Sequence, residues 1–514
     1  MYKFDWDHET GGVILKPDQA KMSLEIRPVF WDEMEIQNFG RLFEYEKSDM
    51  PFMWYDGKNY IYRGEILLRY KAPKDICSES EIDYIDESLK GKKLYPIDMA
   101  ATLRKNRDLM DSLVQESMIG IYDAYMKYKD EMDIIYVSFS GGKDSQVTLD
   151  LVKRTLPAGS FHVVWLDSGM ELSFTRAAAE KEQKECEKQG IPFHVVSSKF
   201  DAMELWKQIG PPARSLRWCC SLLQSVPGMK FLRSFTGKND LRSLGFMGNR
   251  AYESRMRSKY SMIEPNKHKG QINCQPIVNY SSLEVFLYLF DRQLTINTGY
   301  IKGMKRIGCI ICPMAGIQGI RSYLEIYPEE VKPWLELIEG MYSDEQVGKH
   351  AMISDDWKHR SSCDGMKLET NHREYMVGSS LHIEFSKPTT EWKEWIKTIG
   401  TLQKEDDNSF SIDYRGQKIV FVCAENQDDY HVVLENADSY RESGFLDYFK
   451  NVFRKAASCI LCYCCEVDCP HGQLSMEGNV LRVKEGCIHC MSCHKVNLGC
   501  SVYASRHKVQ ELLL

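Results

Sequence analysis

Short apolar runs alternate with amphipathic stretches through the middle of the chain, and that alternation sets the expected elements. Strands are expected over residues 133–138, 161–167, 193–197 and 241–248. Each is nearly continuously apolar, as in Ile134-Ile135-Tyr136-Val137. Residues 171–190 are rich in Ala, Glu and Lys and end on Gly190, a helix with a glycine stop. Over residues 102–130, Leu103, Met110, Val114, Met118, Ile121 and Tyr125 recur at helical spacing, which predicts one long core-facing helix. Further helices are expected at 281–291 and 316–342. Apolar strands separated by polar helices predict an α/β fold with a parallel sheet covered on both faces. Ligands in such sheets bind beyond the C-terminal ends of the strands. Residues 1–100 mix aromatics, prolines and short β-like runs such as 59–68 and read as a small α+β module. Residues 345–450 are mixed and charged, with a strand-like run at 417–422, and read as a connecting α+β module.

A length of 514 residues implies about three or four domains. With 43% hydrophobic and 27% charged residues, the composition is that of an ordinary globular protein. The first residues show neither the basic nor the apolar region of a secretory signal. No apolar stretch approaches the ~18 residues of a membrane span. The expectation is a cytoplasmic protein with no membrane partner. The net charge of −7 is uneven. Residues 214–269 hold twelve Lys or Arg against Asp240, Glu253 and Glu264, a local balance of +9. Such a segment suits a nucleic acid or a second nucleotide. It equally suits a solvated face whose charges pair with acidic neighbours.

The sharpest local signal follows the first parallel strand. Residues 138–145 read Ser138-Phe139-Ser140-Gly141-Gly142-Lys143-Asp144-Ser145. Two adjacent glycines allow a tight turn whose N–H groups approach an anion. Ser140 and Ser145 add hydroxyls, and the helix starting near Asp144 adds unpaired N–H groups and a partial positive charge. A site built this way holds a pyrophosphate. The spacing of a Walker A loop is absent. Asp167-Ser168-Gly169 closes the second strand on the same sheet edge.

The cysteines give the second signal. Eighteen cysteines at short spacings in a large chain of this kind read as metal or cluster ligands. Cys459, Cys462, Cys465 and Cys469 stand in C-x2-C-x2-C-x3-C-P, and Cys487, Cys490, Cys493 and Cys500 in C-x2-C-x2-C-x6-C. This is the spacing of two-cluster bacterial ferredoxins, in which the fourth cysteine of each run serves the other cluster. Cys459, Cys462, Cys465 and Cys500 are therefore expected to hold one 4Fe–4S cluster. Cys487, Cys490, Cys493 and Cys469 are expected to hold another. Zinc is the alternative, and Cys464 is surplus. Cys219-Cys220 and Cys309-Ile310-Ile311-Cys312 form a further constellation, read as a third cluster, a zinc site or a pair of sulfur-carrying thiols. Cys77, Cys186, Cys274, Cys363 and Cys423 are expected to be buried or inert.

Over roughly residues 130–330 the chain resembles the phosphoadenosine phosphosulfate (PAPS) reductase family of PP-loop enzymes. The resemblance is carried by Ser140-Gly141-Gly142-Lys143-Asp144-Ser145, by Asp167-Ser168-Gly169, and by Gly248-Asn249-Arg250-Ala251-Tyr252-Glu253-Ser254. It continues in Gln275-Pro276-Ile277-Val278-Asn279-Tyr280-Ser281 and in Arg306-Ile307-Gly308-Cys309-Ile310-Ile311-Cys312-Pro313. It implies a HUP-type adenine nucleotide α-hydrolase domain at 101–344. The N-terminal module would then span 1–100, the connecting module 345–450, and a ferredoxin-like domain 451–514. It implies ATP binding by Ser138, Ser140, Gly141, Gly142, Lys143, Asp144, Ser145, Asp167, Gly248 and Arg250. Ser140, Lys143, Asp144 and Ser145 would take part in cleavage of ATP to AMP and pyrophosphate, with Mg2+ on Asp144 or Asp167. The family's reductases carry a catalytic cysteine in a short E-C-G-L-H-type tail, and this sequence has no such string. Relatives without that thiol adenylate an acceptor for sulfur insertion. Among them are tRNA thiolases and the ATP pyrophosphatases of DNA phosphorothioation of the Ssp and Dnd type; the long chain with its ferredoxin-like tail resembles the latter group more, the Ssp type most. That resemblance implies a nucleic-acid acceptor, DNA before tRNA, with a cysteine desulfurase as sulfur donor and an electron donor for the clusters. A sulfonucleotide reductase, and an electron-transfer or assembly subunit, remain as other readings.

Overall fold

The computed structural model describes residues 2–19, 25–84, 89–266, 268 and 270–508. The chain forms two compact units, one from residues 1–196 and 241–332, the other from 197–240 and 333–514. Lys267 and Lys269 of the basic segment lie outside the described residues.

The first unit is built on a six-stranded sheet. Its order is Phe193–Ser197, His162–Asp167, Ile134–Phe139, Ser243–Met247, Gln271–Cys274 and Ile263–Pro265. Ile134–Phe139 runs parallel to His162–Asp167 and to Ser243–Met247, which runs parallel to Gln271–Cys274. Only the edge strand Ile263–Pro265 is shown to be antiparallel to its neighbour. The fold is α/β, as the apolar runs predict. Five of the six residues of Ile134–Phe139 are buried, because helices cover the sheet. Met99–Tyr128, Lys143–Thr155 and Ser282–Asp291 pack on one another. Val137, Phe139, Val147, Leu151, Val163, Trp165, Phe246 and Phe286 join one core.

Residues from the N-terminal part belong to the same unit. They form the hairpin Tyr2–Trp6/Val13–Gln19 and a five-stranded antiparallel sheet from Arg27–Val29 to Glu81–Tyr84. The hairpin is fixed to the long helix by Asn106. Its Oδ1 accepts from the Leu15 N–H at 2.6 Å and its Nδ2 donates to the Val13 carbonyl at 2.8 Å. The expected single helix over 316–342 is instead two, Ile317–Ile326 and Pro328–Gly340. Pro328 cannot continue the hydrogen-bond ladder but suits the first position of a new helix.

The second unit centres on a six-stranded antiparallel sheet. Its order is His372–Val377, Ser380–Ser386, Asp429–Leu434, Gln417–Asn426, Ser409–Tyr414 and Thr401–Lys404. The strand-like run at 417–422 falls in the Gln417–Asn426 strand. Phe445–Ser458 packs on this sheet and leads directly into the first cysteine run. Sheet, helix and cysteine runs share one core, with Phe421, Phe449, Phe453, Cys459, Met476 and Met491 buried in it. Half-buried Arg360 ties the 197–240 excursion to the C-terminal helix. It donates to the Pro211 carbonyl at 2.7 Å, the Ser505 carbonyl at 2.9 Å and the Ser505 hydroxyl at 2.6 Å. Among the described residues no helix is long and apolar enough to cross a membrane.

Candidate nucleotide site and cysteine runs

The loop between Ile134–Phe139 and Lys143–Thr155 closes on itself. Ser145 Oγ accepts from the Ser140 N–H at 3.1 Å, lies 3.1 Å from Ser140 Oγ, and donates to the Gly142 carbonyl at 2.9 Å. Gly141 has φ +73, and a side chain there would crowd Thr175. Asn297 Nδ2 holds the Gly141 carbonyl at 2.8 Å, and the Lys143 N–H donates to Tyr300 Oη at 3.3 Å. Ser138 lies near the C-terminal end of its strand, in register with Val164 and Met247. Gly248 follows that neighbouring strand, and a Cβ there would stand 2.8 Å from the Asp144 carbonyl carbon. Only glycine lets the two chain segments approach this closely.

Charge at the loop is tightly organised. Lys143 Nζ lies 2.8 Å from Asp144 Oδ2, and Arg250 Nε lies 2.7 Å from Asp144 Oδ1. The remaining guanidinium nitrogens of Arg250 meet both carboxylate oxygens of Glu25 at 3.1 Å. Arg250 is 1% exposed. Burial works to raise the Asp144 carboxyl, but Lys143 and Arg250 outweigh it and hold it below the usual range. Burial lowers the Lys143 ammonium, only partly offset by Asp144. Two further carboxyl groups lie at and just beyond the end of the neighbouring strand His162–Asp167. Asp167 Oδ1 accepts from the Gly169 N–H at 2.9 Å, and Glu171 Oε1 accepts from Ser168 Oγ at 2.7 Å. Burial, together with Asp167, pushes the Glu171 carboxyl up to about 7.

The structure therefore brings Ser140, Gly141, Gly142, Lys143, Asp144, Ser145, Gly248 and Arg250 into one network, with Asp167 at the end of its own strand. Sequence reasoning missed Glu25, Asn297, Tyr300 and Glu171. Asn297 caps the short helix Thr298–Ile301, a readable signal. Nothing local marks Glu25, which reaches Arg250 only through the fold.

The basic segment divides between the units. Much of it is paired internally. Arg242 meets Glu131 at 2.7 Å, Arg257 pairs with Glu253, and Lys230 meets Glu466 at 3.0 Å. Arg233 donates to the Val467 carbonyl at 3.1 Å.

Cys309 and Cys312 lie in the first unit and Cys219 and Cys220 in the second. Cys309 Sγ is 3.9 Å from Ser168 Oγ. A hydrogen bond from Cys219, with Arg217 alongside, holds the Cys220 thiol down to about 6 against burial. The lone cysteines are buried at Cys186, Cys274, Cys363 and Cys423, while Cys77 is exposed, so of the two expectations burial does not hold for it. Cys77 sits in an Asp75 turn, where its N–H and not its side chain is held. Buried Cys363 donates to the Arg506 carbonyl at 2.7 Å and does not present a free thiol.

The C-terminal cysteines fall into two sets. Burial and then Cys462, Cys500 and Cys465 raise the Cys459 thiol. Burial and then Cys469 and Cys490 raise Cys487. Cys493 feels both Cys469 and Cys487, and also Cys465 of the other set. Surplus Cys464 hydrogen-bonds the Cys462 sulfur and holds that thiol down to about 7. The two runs repeat one backbone trace. Leu461 (φ 57) and Tyr463 (φ 62) in the first match His489 (φ 52) and Met491 (φ 59) in the second. Left-handed backbone at four non-glycine residues costs about 1–2 kcal/mol each. Such a trace alternates the direction of successive N–H groups into a concavity that receives anionic sulfur. The Leu461 N–H points to Cys459 Sγ at 3.4 Å, and the Gln473 N–H to Cys469 Sγ at 3.3 Å. Among the described residues no three His, Cys, Asp or Glu side chains gather around a single ion-sized point.

Residues 134–315 match the family model described as phosphoadenosine phosphosulfate reductase domain. This segment is PAPS reductase-like. An uncharacterised protein of Methanocaldococcus jannaschii is 30% identical over 264 residues, 50% of this chain and 52% of the relative. The chain thus spans about half the length of the first curated relatives it matches. An adenosine 5'-phosphosulfate reductase of Geobacillus sp. (strain WCH70) is 26% identical over 195 residues, 37% of this chain and 75% of that protein. Among solved structures, phosphoadenylyl-sulfate (PAPS) reductase from Candida auris is similar at 17% identity and a TM-score of 0.30, covering 39% of this chain and 93% of that one. The PAPS reductase-like segment takes in the serine–glycine loop, Asp167, Gly248, Arg250, Cys309 and Cys312.

Proposed function

We propose that this protein is an ATP pyrophosphatase that activates a nucleic-acid backbone phosphate for sulfur insertion, as in DNA phosphorothioation. The observation that carries the reading is the self-bonded Ser140–Ser145 loop with the ion-pair network of Lys143, Asp144 and Arg250 built onto it. N–H groups of the loop and of the helix start receive the β and γ phosphates. Lys143 and Arg250 supply charge where the departing pyrophosphate accumulates it. An acceptor oxygen bonds to the α-phosphorus and the bond to the β-phosphate oxygen breaks, releasing pyrophosphate. A sulfur nucleophile then bonds to the activated acceptor phosphorus, and AMP leaves with the former acceptor oxygen. Persulfide sulfur from a cysteine desulfurase is the donor. Magnesium suits the Asp167–Glu171 carboxyl pair better than Asp144, whose two oxygens are already held by Arg250 and Lys143.

The eight C-terminal cysteines fit two 4Fe–4S clusters. Their two electrostatically linked sets, the repeated left-handed trace and the N–H groups on sulfur support this. The absence of a point shared by three ligands among the described residues is compatible with it, since the thiolates of one cubane bind different irons. Transfer of the outer persulfide sulfur breaks its S–S bond and takes two electrons and a proton, leaving the carrier cysteine as a thiol; bound clusters would supply these electrons one at a time, replenished by an external one-electron donor. A sulfonucleotide reductase is the second reading, favoured by the match to adenosine 5'-phosphosulfate reductase. The test is mass spectrometry of digested DNA and tRNA from cells with and without the gene. Phosphorothioate dinucleotides that vanish from DNA support the proposal. Loss of a thiolated tRNA base transfers the acceptor to tRNA. No change in either, with sulfite released from an added sulfonucleotide, replaces it by the reductase.

A further inference from the structure

Lys455 is a buried cation whose hydrogen-bonding partner is a sulfur. It lies in the helix Phe445–Ser458, is 1% exposed, and places Nζ 2.8 Å from Cys465 Sγ. Its ammonium also stands 4.9 Å from the centre of the Trp395 ring. Among the described residues no carboxylate is paired with it. The adjacent Arg454 makes the contrast clear. Both its Nε and Nη2 reach the Glu374 carboxylate, at 2.6 and 2.8 Å. A buried ammonium is costly unless an anion faces it. The sulfur that Lys455 touches belongs to the set of Cys459, Cys462, Cys465 and Cys500.

We propose that Lys455 is the counter-cation of the cysteine set containing Cys465 and raises the reduction potential of the cluster that set holds. The proposal rests on the cluster reading above. Adding an electron makes a cluster more negative, and a fixed positive charge in a low-dielectric interior favours that form. The effect is larger for the set containing Cys465, which Lys455 touches, and smaller for the set containing Cys493. Lys455 is a positioning and tuning residue, since it acts through the thiolates.

The test is a redox titration of the full-length chain purified anaerobically, followed by electron paramagnetic resonance, in parallel with iron and sulfide analysis. Wild-type protein without an iron–sulfur signal overturns the cluster reading itself, independently of Lys455. Given clusters, Lys455→Met should retain them. It should lower the equilibrium constant for one-electron reduction of at least one cluster tenfold or more, about 59 mV toward negative potential. Lys455→Arg should stay close to wild type. Unchanged potentials in Lys455→Met with full iron content overturn the proposal. Should Lys455→Met lose its clusters, Lys455→Arg decides. Retention of both clusters with wild-type potentials supports a need for charge, and loss in both variants overturns it.

Discussion

Arg250 shows how much a single side chain carries at the candidate nucleotide site. It is buried, joined to Asp144 in the loop, and held from its far side by Glu25. A phosphate group arriving at the loop competes with Glu25 for that guanidinium. Glu25→Gln should therefore tighten ATP binding, lowering KM about tenfold with kcat little changed, on the scale of one charge-assisted contact. Weaker binding in that variant would mean that Glu25 positions Arg250 instead of competing for it. Glu171 offers a pH test. Its folded carboxyl is raised to about 7, so its contribution to stability is fully present below the unfolded value near 4.3 and is lost as pH rises through about 7. Glu171→Gln should match wild type in thermal unfolding near pH 4 and become the more stable of the two by pH 8. A pH-independent gap would contradict the assignment. Ser140, Lys143, Asp144 and Ser145 were legible in the sequence because a glycine turn after an apolar strand has few other uses, and Arg250 through the family-like segment Gly248–Ser254. Glu25 was not, because its role depends on the fold alone.

At the scale of elements, the parallel strands were readable from continuous apolar runs, and Ile134–Phe139, His162–Asp167, Phe193–Ser197 and Ser243–Met247 lie within a residue or two of their expected bounds. The helix expected over 316–342 failed at Pro328, where helical periodicity on either side concealed a break. The six-stranded antiparallel sheet of the second unit was expected only at 417–422. Thr401–Lys404 is short and largely exposed and carries little apolar signal, whereas Ser380–Ser386 alternates openly, with Leu381, Ile383 and Phe385 buried between polar neighbours, and was readable. The cysteine runs repeat one backbone trace, which predicts how they tolerate change. His489 is exposed and left-handed, with φ 52. His489→Gly should keep the iron content of the protein, whereas His489→Val, β-branched in that conformation, should lower it. Equal iron in both variants, measured on anaerobically purified protein, would show that the trace is not needed for cluster binding.

The whole chain combines a PAPS reductase-like segment with a cysteine-rich unit of separate architecture, and the proposed function needs both. Sequence charge left a polyanion-binding segment and an internally paired face equally open, and several of its arginines and lysines do pair internally. Arg255 and Lys259 are exposed and, among the described residues, make no ion pair. If they meet nucleic-acid phosphates, the joint change Arg255→Ala and Lys259→Ala should flatten the salt dependence of DNA binding by roughly 0.9 per lost contact in log–log slope. ATP cleavage should be unaffected, and an unchanged slope would move the acceptor away from these residues. The central claim is the bond broken in ATP, and product analysis of α-labelled ATP incubated with the full-length protein and Mg2+ tests it most directly. The account predicts AMP with an equal amount of pyrophosphate, and a loss of about 100-fold or more in Asp144→Ala. ADP with orthophosphate, or cleavage undiminished in Asp144→Ala, would contradict it.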